Sequence, residues 1–276
     1  MQIVLANNYG FCFGVKRAIN LAEANPNSLT LGPLIHNYKE INRLSKNYYV
    51  NVSDDINSLD FNKPVIIRTH GIPKDDLKLL QDKNANIIDA TCPFVTKPQL
   101  ICEDMSKNGY QIIIFGDKEH PEVKGVISYC VNTPIVILSV EELYDKNLSN
   151  KIALVSQTTR KISEYKKIVS YLIEKAKELR VFNTICNATF ENQESAKKLS
   201  QEVDIMLIIG GKNSSNTKQL LTICKENCAD SYLIEDEYDL DSNWLIGKNR
   251  CGITAGASTP DWIIDNVIKK LQTLKG

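Results

Sequence analysis

QIVLANNYGFCFGVKRAINLAEA, residues 2–24, is the stretch that decides the fold. Its opening QIVLAN is a short apolar run of strand type, and GVKRAINLAEA, after Cys12, reads as a helix. The same junction of strand, cysteine and helix occurs twice more. NIIDAT leads into Cys92 and then PFVTKPQLICEDM; VFNTI leads into Cys186 and then NATFENQESAKKLS. The intervals between these cysteines are 80 and 94 residues. Three such junctions predict three copies of one unit, each offering a soft thiolate to a common centre.

The order of segments after each cysteine supports the repeat. After Cys12 come a helix, LTLGPLIHN, a helix around 38–46, PVIIRTHGIP, a helix over 74–83 and NIIDATC. After Cys92 come a helix, QIIIFGDKEHPEV, PIVILS, KIALVSQTTR, a helix over 162–179 and VFNTIC. After Cys186 come a helix, VDIMLIIGGKNSSN, a helix over 217–227, SYLIE, RCGITAGASTP and a helix over 261–274. The last unit is one strand short, and the N-terminal run QIVLANNYGFC supplies it. The expected fold is α/β: three pseudo-threefold-related units with mostly parallel sheets around one centre. They span 12–92, 93–186, and 187–276 together with the N-terminal strand 1–11. Glycine-bearing loops at Gly32, Gly116 and Gly210 recur 20 to 24 residues after the three cysteines. RTHGIP, SQTTR and TAGASTP form a second set. Loops at the carboxyl edges of parallel strands host ligands, so cysteines and loops are expected to share one cavity.

Composition excludes several classes. Lys plus Arg equal Asp plus Glu at 33 each, so no overall field favours a polyanion or an anionic membrane. The longest apolar runs, such as QIIIFG and DIMLIIGG, fall far short of a membrane span. No basic segment precedes the N-terminal apolar run, so it does not read as a signal peptide. Eight cysteines without an export signal point to a reducing, cytoplasmic setting where thiols ligate metal or react.

Cys102, Cys130, Cys224, Cys228 and Cys251 read as small buried hydrophobes. Cys12, Cys92 and Cys186 read as ligands, with Gly10, Gly14 and Pro93 shaping their turns. Three thiolates are one short of a closed zinc or iron–sulfur site. A cubane held by three cysteines leaves one iron free to act as a Lewis acid and to pass electrons. Zinc is the other possibility, without redox chemistry.

All three histidines fall in the polar loops: His36 in GPLIHN, His70 in RTHGIP and His120 in KEHPEV. Their spacing does not suit local metal binding, and neutral-range titration suits anion recognition and proton transfer. Ser214, Ser215 and Asn216, ahead of a helix, make an anion cradle, although the same residues are ordinary N-caps. Ser258 and Thr158 sit in two further loops of this kind. Together they fit a small, strongly anionic ligand such as a diphosphate. Glu122, two residues after His120, is the candidate acid; the alternative is a solvated charge at a helix start.

Taken in order, GFCFGVKRAI, GPLIHN, RTHGIP, DATCPFVTK, HPEV, SQTT, TICNAT, KNSSN and TAGASTPDW resemble the LytB-type family of 4-hydroxy-3-methylbut-2-enyl diphosphate reductases. The likeness runs over essentially the whole chain. It implies a 4Fe–4S cluster, one per chain, on Cys12, Cys92 and Cys186, with one iron lacking a protein ligand. It also implies substrate diphosphate binding by His36, His70, His120, Ser214, Ser215, Asn216 and Ser258. Glu122 would supply protons, with His120 and Thr158 arranging the relay and Thr158 near the substrate hydroxyl. The reaction would be the two-electron, two-proton reduction that yields isopentenyl and dimethylallyl diphosphates and water. No nicotinamide or flavin fingerprint is present, so reduced ferredoxin or flavodoxin is the expected donor. The family often has a histidine after VTKV, where this chain has Pro98-Gln99, and a threonine where Val126 stands.

Two other readings keep the cysteines and change the chemistry. A three-cysteine dehydratase or condensing enzyme of the quinolinate-synthase type would want arginine forks for carboxylates, and only Arg68 and Arg160 lie in these loops. A non-enzymatic iron–sulfur sensor would need neither Glu122 nor a closed anion pocket.

Overall fold

The structure, a computed structural model, describes residues 1–274. Twelve strands, numbered in chain order, form three four-stranded sheets with parallel pairing throughout the described residues. The N-terminal strand β1 (Gln2–Leu5) pairs with β12 (Arg250–Ala255), which pairs with β10 (Ile205–Ile209), which pairs with β11 (Ser231–Ile234). A second sheet has β2 (Leu29–Leu31), β3 (Asn51–Ser53), β4 (Val65–Ile67) and β5 (Ile87–Asp89) in the order β3-β2-β4-β5. The third has β6 (Gln111–Phe115), β7 (Ile135–Ile137), β8 (Lys151–Ser156) and β9 (Glu178–Val181) in the order β7-β6-β8-β9. With β1 counted last in its sheet, each has the same order, 2-1-3-4. The N-terminal strand is thus paired where the sequence pattern expects it.

Nine α-helices lie among the described residues: α1 (Phe13–Ala24), α2 (Tyr38–Tyr48), α3 (Lys74–Asp82), α4 (Pro93–Lys107) and α5 (Pro121–Ser128), then α6 (Ile162–Ile173), α7 (Asn187–Ser200), α8 (Ser215–Lys225) and α9 (Asp261–Thr273). None is long and apolar enough to cross a membrane. The chain groups into two compact units. One comprises Met1–Lys16, Ile35–Arg43 and the chain from Asn187 onward; the other comprises Arg17–Leu34 and Leu44–Cys186. The first holds the β11-β10-β12-β1 sheet, and the second holds the other two.

The buried strands follow from their sequences. Every residue of β10, IMLII, is fully buried, because both faces of a parallel sheet are covered. Alternation along it serves two cores. Ile205, Leu207 and Ile209 pack with Ile263, Ile264, Val267 and Leu271 of α9. Met206 and Ile208 pack with Ala196 and Leu199 of α7 and Leu220 and Cys224 of α8. Burial of each such large side chain contributes about 1.5–3 kcal/mol. In the other unit, Ile113, Phe115 and Leu154 pack with Tyr165, Ile168 and Leu172 of α6, while Ile112, Ile114 and Val155 pack with Cys102 and Met105 of α4.

Two elements depart from the sequence expectation. The edge strand β3 is not apparent in the sequence, being three residues long with Asn51 and Val52 exposed. The strand expected in VFNTI instead covers Glu178–Val181, and the helix expected over 162–179 stops at Ile173. Pairing decides this. Lys177 and Glu178 both donate to the Asn150 carbonyl, which starts the ladder against Lys151–Leu154, and the chain leaves the sheet at Phe182.

Candidate active site

Each of the three singled-out cysteines stands directly before a helix: Cys12 before α1, Cys92 as the N-cap of α4 and Cys186 before α7. Unpaired N–H groups of a first helical turn favour a nearby anion. All three thiols are reduced and half-buried, whereas Cys102, Cys224, Cys228 and Cys251 are buried in the cores. Cys130, also expected in the core, is partly buried against it.

One backbone contact recurs at all three. Cys12 N–H donates to the Ala257 carbonyl (3.2 Å), Cys92 N–H to Thr69 (3.0 Å) and Cys186 N–H to Thr158 (3.0 Å). These acceptors lie in TAGASTP, RTHGIP and SQTTR, the second set of polar loops. Ser258 and His70 directly follow two of them, and Thr158 is itself the third. Each cysteine is therefore tied to a loop that carries a candidate substrate residue.

In the unit Arg17–Leu34 and Leu44–Cys186, the acid and two histidines are built together. Glu122 is 2% exposed and lies in the first turn of α5. Its carboxylate accepts from Thr158 N–H and from Thr158 Oγ1, both at 2.7 Å. Burial pushes the Glu122 carboxyl above the usual glutamate value, against the opposing pull of the two Thr158 hydrogen bonds and the Arg160 charge. A buried carboxyl held ready to keep its proton suits a general acid. His120 is the N-cap of α5, with Pro121 at the first helical position, and its Nδ1 accepts from Glu122 N–H at 3.2 Å. That bond leaves the Nε2 side of the ring to donate. The His70 ring meets the His120 ring edge-on, 5.5 Å between centroids. Thr184 Oγ1 donates to the Ser156 carbonyl (2.6 Å) and accepts from Ser156 N–H (2.8 Å), fastening TICN to SQTT.

The other unit carries the remaining candidates. Ser258 Oγ donates to the His36 carbonyl at 3.2 Å, joining TAGASTP to GPLIHN. A Cβ on Gly211 would stand 2.5 Å from that same His36 oxygen, so only glycine lets the GGKNSSN loop approach. Ser214 is the N-cap of α8 and accepts from Thr217 N–H at 3.3 Å, which is the ordinary capping role. Ser215 opens the helix and is partly exposed. Asn216 is different: it is 4% exposed, and neither atom of its amide has a hydrogen-bond partner among the described residues. Leaving such a group unpaired costs about 1–3 kcal/mol, a cost that a bound anion or hydroxyl removes.

Several contributors were not apparent in the sequence. Gln157 Oε1 accepts from Asp117 N–H (3.0 Å) and Arg160 Nε (3.2 Å), bracing the loop that leads to His120. Gln99, where the family often has histidine, is buried with its amide against Gly71: a Cβ there would lie 2.8 Å from Gln99 Nε2. The departure thus sits against Gly71, the residue that follows His70. Glu40, 1% exposed, accepts from the Arg43 guanidinium (2.6–3.0 Å) and from Trp262 Nε1 (3.0 Å), binding the helix after His36 to the helix after Ser258. These residues are common types, and their contacts with Asp117, Gly71 and Trp262 lie far away in sequence, so only folding reveals them.

The chain is similar to known proteins over its whole length. The family model described as "LytB protein" matches residues 3–272. A 4-hydroxy-3-methylbut-2-enyl diphosphate reductase from a Nitratiruptor species is 62% identical over 275 residues, covering 100% of both chains. The enzyme of that name from a Helicobacter pylori strain is 61% identical, covering 99% of this chain and 100% of its own. Among solved structures, an (E)-4-hydroxy-3-methyl-but-2-enyl diphosphate reductase described as the terminal enzyme of the non-mevalonate pathway is 41% identical with TM-score 0.71, covering 99% of this chain and 100% of its own. The E-1-hydroxy-2-methyl-but-2-enyl-4-diphosphate reductase from Plasmodium falciparum is 28% identical with TM-score 0.91, covering 100% of this chain and 88% of its own. With a family model matching residues 3–272 and a relative 62% identical over its full length, the chain belongs to the LytB family.

Proposed function

We propose that the chain reduces 4-hydroxy-3-methylbut-2-enyl diphosphate, with two electrons and two protons, to isopentenyl or dimethylallyl diphosphate and water. The observation that carries this reading is Thr158. Its N–H and hydroxyl hold the buried Glu122 carboxyl, while its carbonyl accepts from Cys186 N–H. One residue thereby couples the proton source to a thiol of the redox centre. An isolated structural carboxylate needs no such link.

The donor set fits an iron–sulfur cluster: three reduced, half-buried thiols, each at a helix start, and no fourth cysteine in a comparable position among the described residues. Cys12, Cys92 and Cys186 would hold a 4Fe–4S cluster, one per chain, with one iron left without a protein ligand. When bound, the cluster supplies electrons singly and a Lewis-acidic iron for the substrate hydroxyl. The protein does the rest. His36, His70, His120, Ser214, Ser215, Asn216 and Ser258 bind the diphosphate, and Asn216 contributes an amide that has no partner among the described residues. Thr158 orients the hydroxyl end. Glu122 gives the proton that lets the hydroxyl leave as water, and His120, fixed through Nδ1, directs its Nε2 hydrogen toward the anion. Anchoring both ends makes the reaction effectively unimolecular.

The three repeats, 12–92, 93–186 and 187–276 with 1–11, each contribute one cysteine around a pseudo-threefold centre. The setting is cytoplasmic, and the electrons come from reduced ferredoxin or flavodoxin. Anaerobic purification with iron and sulfide quantification, followed by turnover of the allylic diphosphate with dithionite and a viologen, tests the reading. The expected result is close to four irons and four sulfides per chain with both products formed. An iron-loaded protein that leaves the diphosphate unreduced would refute it.

A further inference from the structure

Thr91, Pro93, Thr96, Lys97, Leu100 and Ile101 line a groove of about 470 Å³ along the outer side of α4. Thr91 and Pro93 flank Cys92 in the chain, so the groove begins beside that cysteine. Leu100 is 57% exposed, a large apolar side chain left to solvent on a helix that buries Val95, Cys102 and Met105. The rim is cationic. Lys97 is exposed, and the Arg17 guanidinium is pinned beside the groove by the carbonyls of Thr91 (3.3 Å) and Asp89 (3.0 Å). Nearby acids are engaged: Asp89 Oδ1 accepts from Thr91 N–H (2.8 Å), and Glu103 is held between Lys74 (2.7 Å) and Lys107 (2.8 Å). Asp104, further along α4, accepts from the Asn108 amide at 3.1 Å.

We propose that this groove is the docking face for the electron donor, a small acidic one-electron carrier protein. Carboxylates of the carrier meet Lys97 and Arg17, and an apolar patch over its redox centre covers Leu100 and Pro93. An apolar middle with a charged rim suits a brief encounter, because rim charges speed association while a small contact lets the spent carrier leave. The proposal rests on the reading of Cys92 as a cluster ligand, which puts a redox centre next to the groove. Two carriers in turn each give up one electron. Together with two protons these break the C–O bond, form a C–H bond and release water.

The test uses the cluster-loaded protein under anaerobic conditions with an acidic two-cluster ferredoxin as probe. Carbodiimide coupling followed by mass spectrometry should join Lys97 to a ferredoxin carboxylate. Lys97→Glu and Leu100→Ser should each raise the Kd for ferredoxin, and the charge reversal should lower ferredoxin-driven kcat/KM about tenfold and flatten its salt dependence. Turnover driven by dithionite and viologen should stay unchanged in both. Lys166→Glu, the same charge change on α6, serves as control. If Lys97→Glu binds and turns over with ferredoxin as the control does, the docking face is wrong while the activity stands. If the unmodified protein reduces no diphosphate even with dithionite, the functional reading fails and the docking face falls with it.

Discussion

Replacing Glu122 by glutamine separates the proton from the scaffold that holds it. In the native site both carboxylate oxygens accept from Thr158, one from its N–H and one from its hydroxyl. The glutamine carbonyl can keep the N–H, and the Thr158 hydroxyl can rotate to accept from the new NH₂. The substitution therefore exchanges two charge-assisted hydrogen bonds for two neutral ones and leaves nothing unpaired, a loss of about 1–3 kcal/mol. Against that stands the removed cost of a buried carboxyl. Burial raises its pKa above 4.5, so the unfolded chain gives up this proton at lower pH than the folded one. The contribution of this group to stability is present below 4.5 and is lost as pH rises through the raised folded value. The melting temperature of Glu122→Gln relative to wild type should accordingly climb as pH rises from about 4.5 through the raised folded value. Catalysis should move the other way. An amide cannot release the proton, and loss of a positioned general acid costs about 10²–10⁴-fold, or roughly 3–5 kcal/mol on the barrier. Single-turnover reduction of the diphosphate, followed beside cluster absorbance and pyrophosphate titration, measures rate, metal content and binding separately. A variant with full cluster, intact binding and a rate within about threefold of wild type would refute the assignment, as would a melting difference that does not change with pH.

Asn216→Leu should bind pyrophosphate at least about tenfold more weakly in calorimetry while the ligand-free protein melts no lower than wild type, because the amide it removes has no partner among the described residues. Cys92→Ser should lose the brown chromophore and turnover together, whereas Cys251→Ala, in the core of the β10-β12 sheet, should keep the chromophore and lose roughly 1–2 kcal/mol in denaturant unfolding. Gly211→Ala forces a methyl against the His36 carbonyl at 2.5 Å, so it should destabilise by about 1–3 kcal/mol and weaken pyrophosphate binding, both readable by thermal shift with and without ligand.

Much of this was readable from the chain. The central strands β6, β8 and β10 announce themselves as short, continuous apolar runs, and cysteine and histidine are rare enough for their placement to carry information. The short edge strand β3 does not, since half of its character is that of a polar loop and only its ladder to Leu29–Leu31 makes it a strand. VFNTI is more apolar than ELRV, yet the ladder to β8 recruits ELRV. Pairing outweighs local preference in both cases. Within the site, Glu122 could be named from its neighbours and Thr158 from the family resemblance, but the two hydrogen bonds that join them, 36 residues apart, appear only in the fold. Asn216 was readable as part of an anion cradle, but its residue type did not separate that role from ordinary capping. Its solitude appears only when the surrounding donors and acceptors have been placed.

The pairing of β1 with β12 has a consequence for the timing of synthesis. Gln2–Leu5 must find Arg250–Ile253, nearly the whole chain later. The strands of the other two sheets find partners within roughly the preceding hundred residues, so those sheets can form while translation continues. The first strand made is the last to be seated, and until β12 exists it has no partner strand in the native ladder. Cys12 travels with it. A chain that lacks β12 has no place to put that thiol, so on the proposed reading of Cys12 as a cluster ligand the centre would be completed only after β12 has been made.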